Sequence, residues 1–305
     1  MDNETQTHIS WSQYAMWSKC PQWWDYIYRQ KIAEREESIH TLFGTAIHTV
    51  IQNWLTDTVY SDKSIIYAKS VDLSDTFRST FIELGKPWVG NGLFTRPEFE
   101  EFYQHGLDIL TYIQENVTKM FPTHNTELFG IEYKLEYPLG NGTSFIGYID
   151  IVTWDRQFNE YKLWDLKTSS FGWNKWAKKD KLKTDQILLY KKMFSEIEKV
   201  PLESIDVEYM ILKRILPEHS DWPTHRISKF VPAQGNPSVN KVWKSFSEFV
   251  RLAHHPKTGE RIVDNVVATP SDSTCKFCPC TEICPYFGQG PKAEKRTPEV
   301  VSLFD

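Results

Sequence analysis

The chain has 305 residues, 40% of them hydrophobic and 25% charged, with a formal net charge of −5. That length suffices for one large core or two small ones, and the composition is that of a globular protein rather than a disordered or fibrous one. The acidic balance excludes a uniformly basic nucleic-acid binder, so any such binding must come from local clusters of lysine.

The first eight residues are polar and acidic, unlike a secretory leader, and no apolar run is long enough to cross a membrane. A reducing cytoplasm is the expected setting, where cysteines stay reduced or bind metal. Ser10 to Gln13 has the spacing of a capping box opening a helix, with Tyr14, Trp17 and Cys20 near one face. Pro21 suits the first position of a second helix. After a charged linker, residues 42–55 show helical periodicity. Residues 61–97 show none, and Gly85, Pro87, Gly90 and Gly92 mark a loop. Apolar residues from Phe99 to Val117 recur every three or four positions, as in a long amphipathic helix.

The pattern then changes. Residues 127–139, 144–154 and 161–167 read as strands, with Asn141-Gly142 as the hairpin signal. A helix is expected over 181–199, strands over 205–213 and 225–231, and a helix over 238–254. A cysteine cluster and a tail rich in Pro, Gly and Lys follow. This order predicts an α/β fold with helical additions.

Gly147-Tyr148-Ile149-Asp150 ends in an acid within an apolar strand, and Asp165-Leu166-Lys167 sets an acid and a lysine on one face of the next. If those strands pair, Asp150 and Asp165 can share a divalent cation, for which oxygen ligands suit magnesium or manganese. The same residues also read as a turn acid and a surface ion pair. Gln186 and Tyr190 share a helix face, Gly44 and His48 share another, and Glu132 lies in the strand before Asp150.

In order, Gly44-Thr-Ala-Ile-His48, Glu132, Gly147-x-x-Asp150, Asp165-x-Lys167 and Gln186-x-x-x-Tyr190 resemble the PD-(D/E)XK nucleases of the RecB-like class. These include CRISPR-associated exonucleases, AddB-type nuclease domains and related phage exonucleases. The resemblance implies a restriction-endonuclease-like mixed β-sheet core flanked by helices. It implies metal ligation by His48, Asp150 and Asp165, catalysis by Lys167, and support from Gln186 and Tyr190, with Glu132 as a further catalytic candidate. The implied activity is magnesium- or manganese-dependent DNA exonucleolysis in recombination, repair or phage DNA processing. Residues 1–290 are expected to form one nuclease domain with a helical insertion at 56–125, and 291–305 a flexible tail.

Cys275, Cys278, Cys280 and Cys284 lie within ten residues, and Cys20 is far away. Spacing alone allows a local zinc site completed by Cys280. The resemblance implies instead that Cys20, in Cys20-Pro21, joins Cys275, Cys278 and Cys284 around a four-iron four-sulfur (4Fe-4S) cluster. Trp173, Lys175, Trp176, Lys178 and Lys179 form a basic, aromatic stretch suited to DNA phosphates and an unpaired base. Ser302, Leu303 and Phe304 resemble the end of a sliding-clamp-binding peptide without its leading glutamine. The competing readings are an inactive iron–sulfur DNA-binding module and a thiol redox protein using Cys275-x-x-Cys278.

Overall fold

The structure, a computed structural model, describes residues 8–33, 37–90, 92–140, 142–217 and 224–290. Asn141, the expected tail at 291–305 and the clamp-peptide residues 302–304 lie outside the described residues. Among the described residues, no helix is long and apolar enough to cross a membrane.

In chain order the elements are β1 (His8–Ile9), α1 (Trp11–Lys19), α2 (Pro21–Trp24), α3 (Ile39–Trp54), α4 (Ile65–Ser70), α5 (Ser74–Gly85), α6 (Arg96–Glu115) and α7 (Val117–Met120). Then come β2 (Thr126–Pro138), β3 (Ser144–Asp155), β4 (Glu160–Ser169), α8 (Lys181–Thr184), α9 (Gln186–Glu198), β5 (Ile205–Lys213), β6 (Ile227–Phe230), α10 (Asn236–Ala253) and α11 (Asp272–Cys275). The chain divides into two compact units: Met1–His8 with Glu37–Ser247, and Ile9–Glu36 with Glu248–Asp305.

The sheet has six strands, five of them wholly within the first unit. There, β2 pairs antiparallel with β3, β3 antiparallel with β4, β4 parallel with β5, and β5 antiparallel with β6. The parallel pair encloses α8 and α9, as a crossover connection requires. Ile151, Trp164, Leu166, Met210 and Leu212 of the sheet join one core with α3, α5 and α6. Phe43, Phe77 and Phe81 are fully buried in it, each contributing about 1.5–3 kcal/mol by burial. Gly106 on α6 makes the packing possible, since a Cβ there would meet the Phe77 ring at 2.1 Å.

Helices α4 and α5 occupy much of 61–97, where the sequence pattern is hard to read, inside the span expected to be a helical insertion. The loop signals at Gly90 and Gly92 fall beyond α5, where both take positive φ. The helix expected over 181–199 is two: Asp180 caps α8 through Leu182 N at 3.0 Å, and the chain restarts at Gln186. Ser10 precedes α1 as expected, but its side chain makes no capping bond.

In the second unit, Trp24 sits fully buried at the centre of an aromatic cluster. Trp17, Phe249 and His254 meet its ring edge-on at 5.1, 6.0 and 5.7 Å. Arg261 donates to the Tyr28 carbonyl at 2.7 Å, and Thr269 Oγ1 to the Lys19 carbonyl at 2.9 Å. These bonds tie the two sequence-distant pieces of this unit together.

Candidate active site

The β3–β4 ladder ends at Ile151 opposite Trp164. One step further in register, Asp150 stands opposite Asp165, on the face that alternation leaves free when Ile151, Trp164 and Leu166 enter the core. The strands part there, and the backbone donor this would orphan, Leu166 N, is taken by Asp150 Oδ2 at 2.6 Å. Asp150 thus holds the fork open. From α3, His48 Nδ1 comes to 3.7 Å of the same Oδ2.

Lys167 Nζ lies 2.8 Å from Asp165 Oδ1 and donates to Gln186 Oε1 at 3.2 Å. Gln186 Nε2 in turn donates to the Tyr190 hydroxyl at 3.0 Å. The glycine of Gly147-x-x-Asp150 has a local reason. A Cβ on it would stand 2.7 Å from Phe145 and 3.1 Å from the Tyr190 ring, so its absence lets that ring lie over β3. Gly44 is less constrained, since a Cβ there would be an ordinary 3.4 Å from Thr168 Oγ1.

Burial sets the titration of this cluster. It pushes Asp150 and Asp165 up to about 6, partly countered by Lys167. Burial, followed by the charge of Lys167, pushes His48 down to about 4, leaving a neutral imidazole at pH 7. Burial opposes the charge on Lys167, but Asp165 and Asp150 outweigh it and hold the ammonium above its ordinary range.

Glu132 enters from β2 in a backbone conformation of φ +45°, rare for a residue with a side chain. Its ladder partner would be Asp150, and the pair is missing from the register between Ile131↔Ile151 and Tyr133↔Ile149. Gln52 on α3 holds it, donating Nε2 to Glu132 Oε1 at 2.6 Å and to the Asp150 carbonyl at 3.1 Å. Sequence reading passed over Gln52. The available signal was its place four residues after His48, which follows Gly44 by four, so that Gln52 shares the helix face already singled out.

Among the described residues, no set of three or more His, Cys, Asp or Glu side chains is gathered tightly enough to grip an ion. The donor set nevertheless fits a hard divalent cation. It offers a buried carboxylate, a half-buried one and a neutral imidazole, and Asp165 Oδ1 is buried without a hydrogen bond of good geometry despite the nearby ammonium.

The basic, aromatic stretch divides. Trp173 packs its ring 5.0 Å from Tyr209 and 5.9 Å from Phe230. Trp176 is 53% exposed, with the Lys175 and Lys179 ammonium groups 5.1 and 5.9 Å from its ring. Lys178 lies over Phe230 at 5.7 Å.

In the second unit, Cys20, Cys275, Cys278 and Cys284 line one small cavity, with Trp23, Tyr26 and Pro270 around them. Cys280 is buried but does not line it. Thr269 N points to Cys20 Sγ at 3.5 Å, and burial raises the Cys278 thiol to about 11.

A mixed sheet flanked by helices, with paired acids and a lysine where two neighbouring strands diverge, defines a restriction-endonuclease-like fold. A profile of the PD-(D/E)XK nuclease superfamily matches residues 8–285, and the chain belongs to that superfamily of metal-dependent nucleases. Among curated proteins, none matches the chain.

Proposed function

We propose that the protein is a magnesium- or manganese-dependent DNA exonuclease acting in recombination, repair or phage DNA processing. The observation that carries the reading is the arrangement of Asp150, Asp165 and Lys167 where β3 and β4 part, with His48 beside it. His48, Asp150 and Asp165 would hold the cation, which when bound activates a water and neutralises charge on the phosphate. Lys167 supplies a fixed positive charge near the attacked phosphate and is held in place by Gln186, itself bonded to Tyr190. Glu132, oriented by Gln52, adds a carboxylate beside Asp150 that can take a proton from the attacking water. Trp176 offers a face for an unpaired base, and Lys175, Lys178 and Lys179 offer charge for the backbone.

We infer a 4Fe-4S cluster ligated by Cys20, Cys275, Cys278 and Cys284 in the second unit, a reading favoured by a cavity lining that contains these four thiols and omits Cys280. Zinc is the competing occupant. Protein prepared without oxygen should be brown and carry four irons per chain; stoichiometric zinc without iron would overturn this part.

The function is tested on end-labelled linear and circular DNA with and without Mg²⁺ or Mn²⁺. Metal-dependent release of nucleotides from linear DNA, with circles intact, is expected. Nicking of circles would make the protein an endonuclease. Binding without cleavage under any metal would leave an inactive DNA-binding module.

A further inference from the structure

The first unit buries an arginine whose charge no acid among the described residues meets. Arg214 directly follows β5 and is 5% exposed. Its guanidinium donates to Ser170 Oγ at 2.9 Å, meets His105 Nδ1 at 3.4 Å, and lies 3.8 Å from the centre of the Phe102 ring. The exposed His40 packs edge-on against that ring at 5.1 Å. Among the described residues no carboxylate pairs with Arg214; Glu101, the acid whose field reaches it, faces His105 at 3.8 Å. Burial first, and the charge of Arg214 second, lowers both His40 and His105, so neither imidazole relieves the guanidinium. Burying a lone guanidinium is costly, and an anion of matching shape removes most of that cost.

The position is informative. Arg214 N and Ile215 N donate to the carbonyls of Ser169 and Ser170 at 2.9 Å each, so the carboxyl ends of parallel strands β4 and β5 stay joined past their ladder. Ligands of open α/β sheets bind at that end. Ser170 follows Lys167 by three residues, roughly 10 Å along a chain that rises about 3.3 Å per residue, and projects from the opposite face, towards α3; that helix carries both His40, against Phe102, and His48, beside Asp150. That separation is within reach of a phosphate next to the one beside Lys167.

We propose that Arg214, with Ser170, His40 and His105, binds a phosphate of the substrate strand neighbouring the one that is cut. This deepens the nuclease reading and rests on it. The guanidinium fork presents two parallel N–H donors to a phosphate, with the Ser170 hydroxyl as a third donor.

The test uses Arg214→Met, Arg214→Lys and Ser170→Ala in the full chain, with melting temperature checked for each. Arg214→Met is expected to raise the KM for DNA at least about tenfold with kcat little changed. Arg214→Lys, which keeps the charge and loses the fork, should recover only part of this. If the phosphate is terminal, wild type should prefer phosphorylated over hydroxyl ends and Arg214→Met should not. If it is internal, an uncharged methylphosphonate beside the cleaved linkage should reproduce the defect instead. Inorganic phosphate should raise the melting temperature of wild type and not of Arg214→Met, a readout that needs no cleavage. Unchanged KM in all three variants, together with equal phosphate shifts, would overturn the inference and leave wild-type cleavage standing. A wild type that cleaves no DNA would instead remove the nuclease reading, with the phosphate shift still deciding the subsite.

Discussion

The acidic fork and the cysteine cavity gather potential ligands in opposite ways. At the fork, Asp150 and Asp165 come from adjacent strands of one hairpin, and the sheet itself sets their register. Their charges are already met inside the protein, by Lys167 on Asp165 and by the Leu166 amide on Asp150. The cavity draws one thiol from residue 20 and three from a segment of turns and one short helix near residue 280. Little regular structure lies between those thiols, and burial keeps Cys278 protonated rather than charged. The first site is ordered by its fold. The second takes its thiols from two distant pieces of chain, joined by the Trp24 cluster and by the Arg261 and Thr269 hydrogen bonds, and a bound cluster would tie them further.

The largest test of that contrast is activity against integrity. Asp165→Ala or Lys167→Ala should lower the cleavage rate by about a thousandfold while leaving melting temperature and any visible absorbance near wild type. Cys278→Ser should do the reverse first, losing iron and destabilising the second unit by several kcal/mol, whereas Cys280→Ser should keep its iron. Iron analysis with thermal melting reads both. Equal iron loss in the two cysteine variants would dissolve the distinction between them.

A smaller effect sharpens the claim that the fork is self-supporting but under tension. Burial raises both acids from 3.8 to about 6, so the folded protein holds their protons more tightly than the unfolded chain. Their contribution to stability is therefore greatest below pH 3.8 and is lost as pH climbs towards 6. Asp150→Asn can still accept from Leu166 N. In metal-free protein it should raise the melting temperature by a few degrees at pH 7 and lose that advantage near pH 4, and with metal added it should not cleave. A pH-independent shift would show that burial of the acid is not the source.

Gln52→Leu should weaken metal affinity by about tenfold to a hundredfold, as expected when the partner that orients a site carboxylate is removed. Isothermal titration with Mn²⁺ measures this, and unchanged affinity would leave Gln52 a mere packing residue. The smallest effects separate the two tryptophans. Trp176→Ala should cost about 1–3 kcal/mol of single-strand affinity without altering stability. Trp173→Ala should lower the melting temperature instead, because its ring packs on Tyr209 and Phe230.

What could be read from the sequence depended on how local the governing interaction was. The strand boundaries, the pairing of the Asp150 and Asp165 strands and the inward turn of Leu166 follow from alternation and a hairpin, both short-range. The bounds of α4 and α5 were not legible, because α4 is only six residues long and buries Ala68 alone, and α5 offers only Phe77, Phe81 and Gly85 as a buried stripe. The left-handed backbone of Glu132 was equally hidden, since nothing in Gly130-Ile131-Glu132 marks a positive φ at the glutamate. The sequence analysis did not single out Arg214, and only tertiary contacts show that it lies buried against Phe102 with no acid among the described residues beside it.

The composition of the second unit from the two ends of the chain orders events at the ribosome. Residues 9–36 emerge first and must wait for the segment from residue 248 onward. At about 5–20 residues per second that delay is tens of seconds. Cys20 spends the interval as an unpaired thiol in an unfinished aromatic core. On the proposed cluster reading, a shortage of iron or an oxidising cell would therefore harm the newly made protein before the finished one.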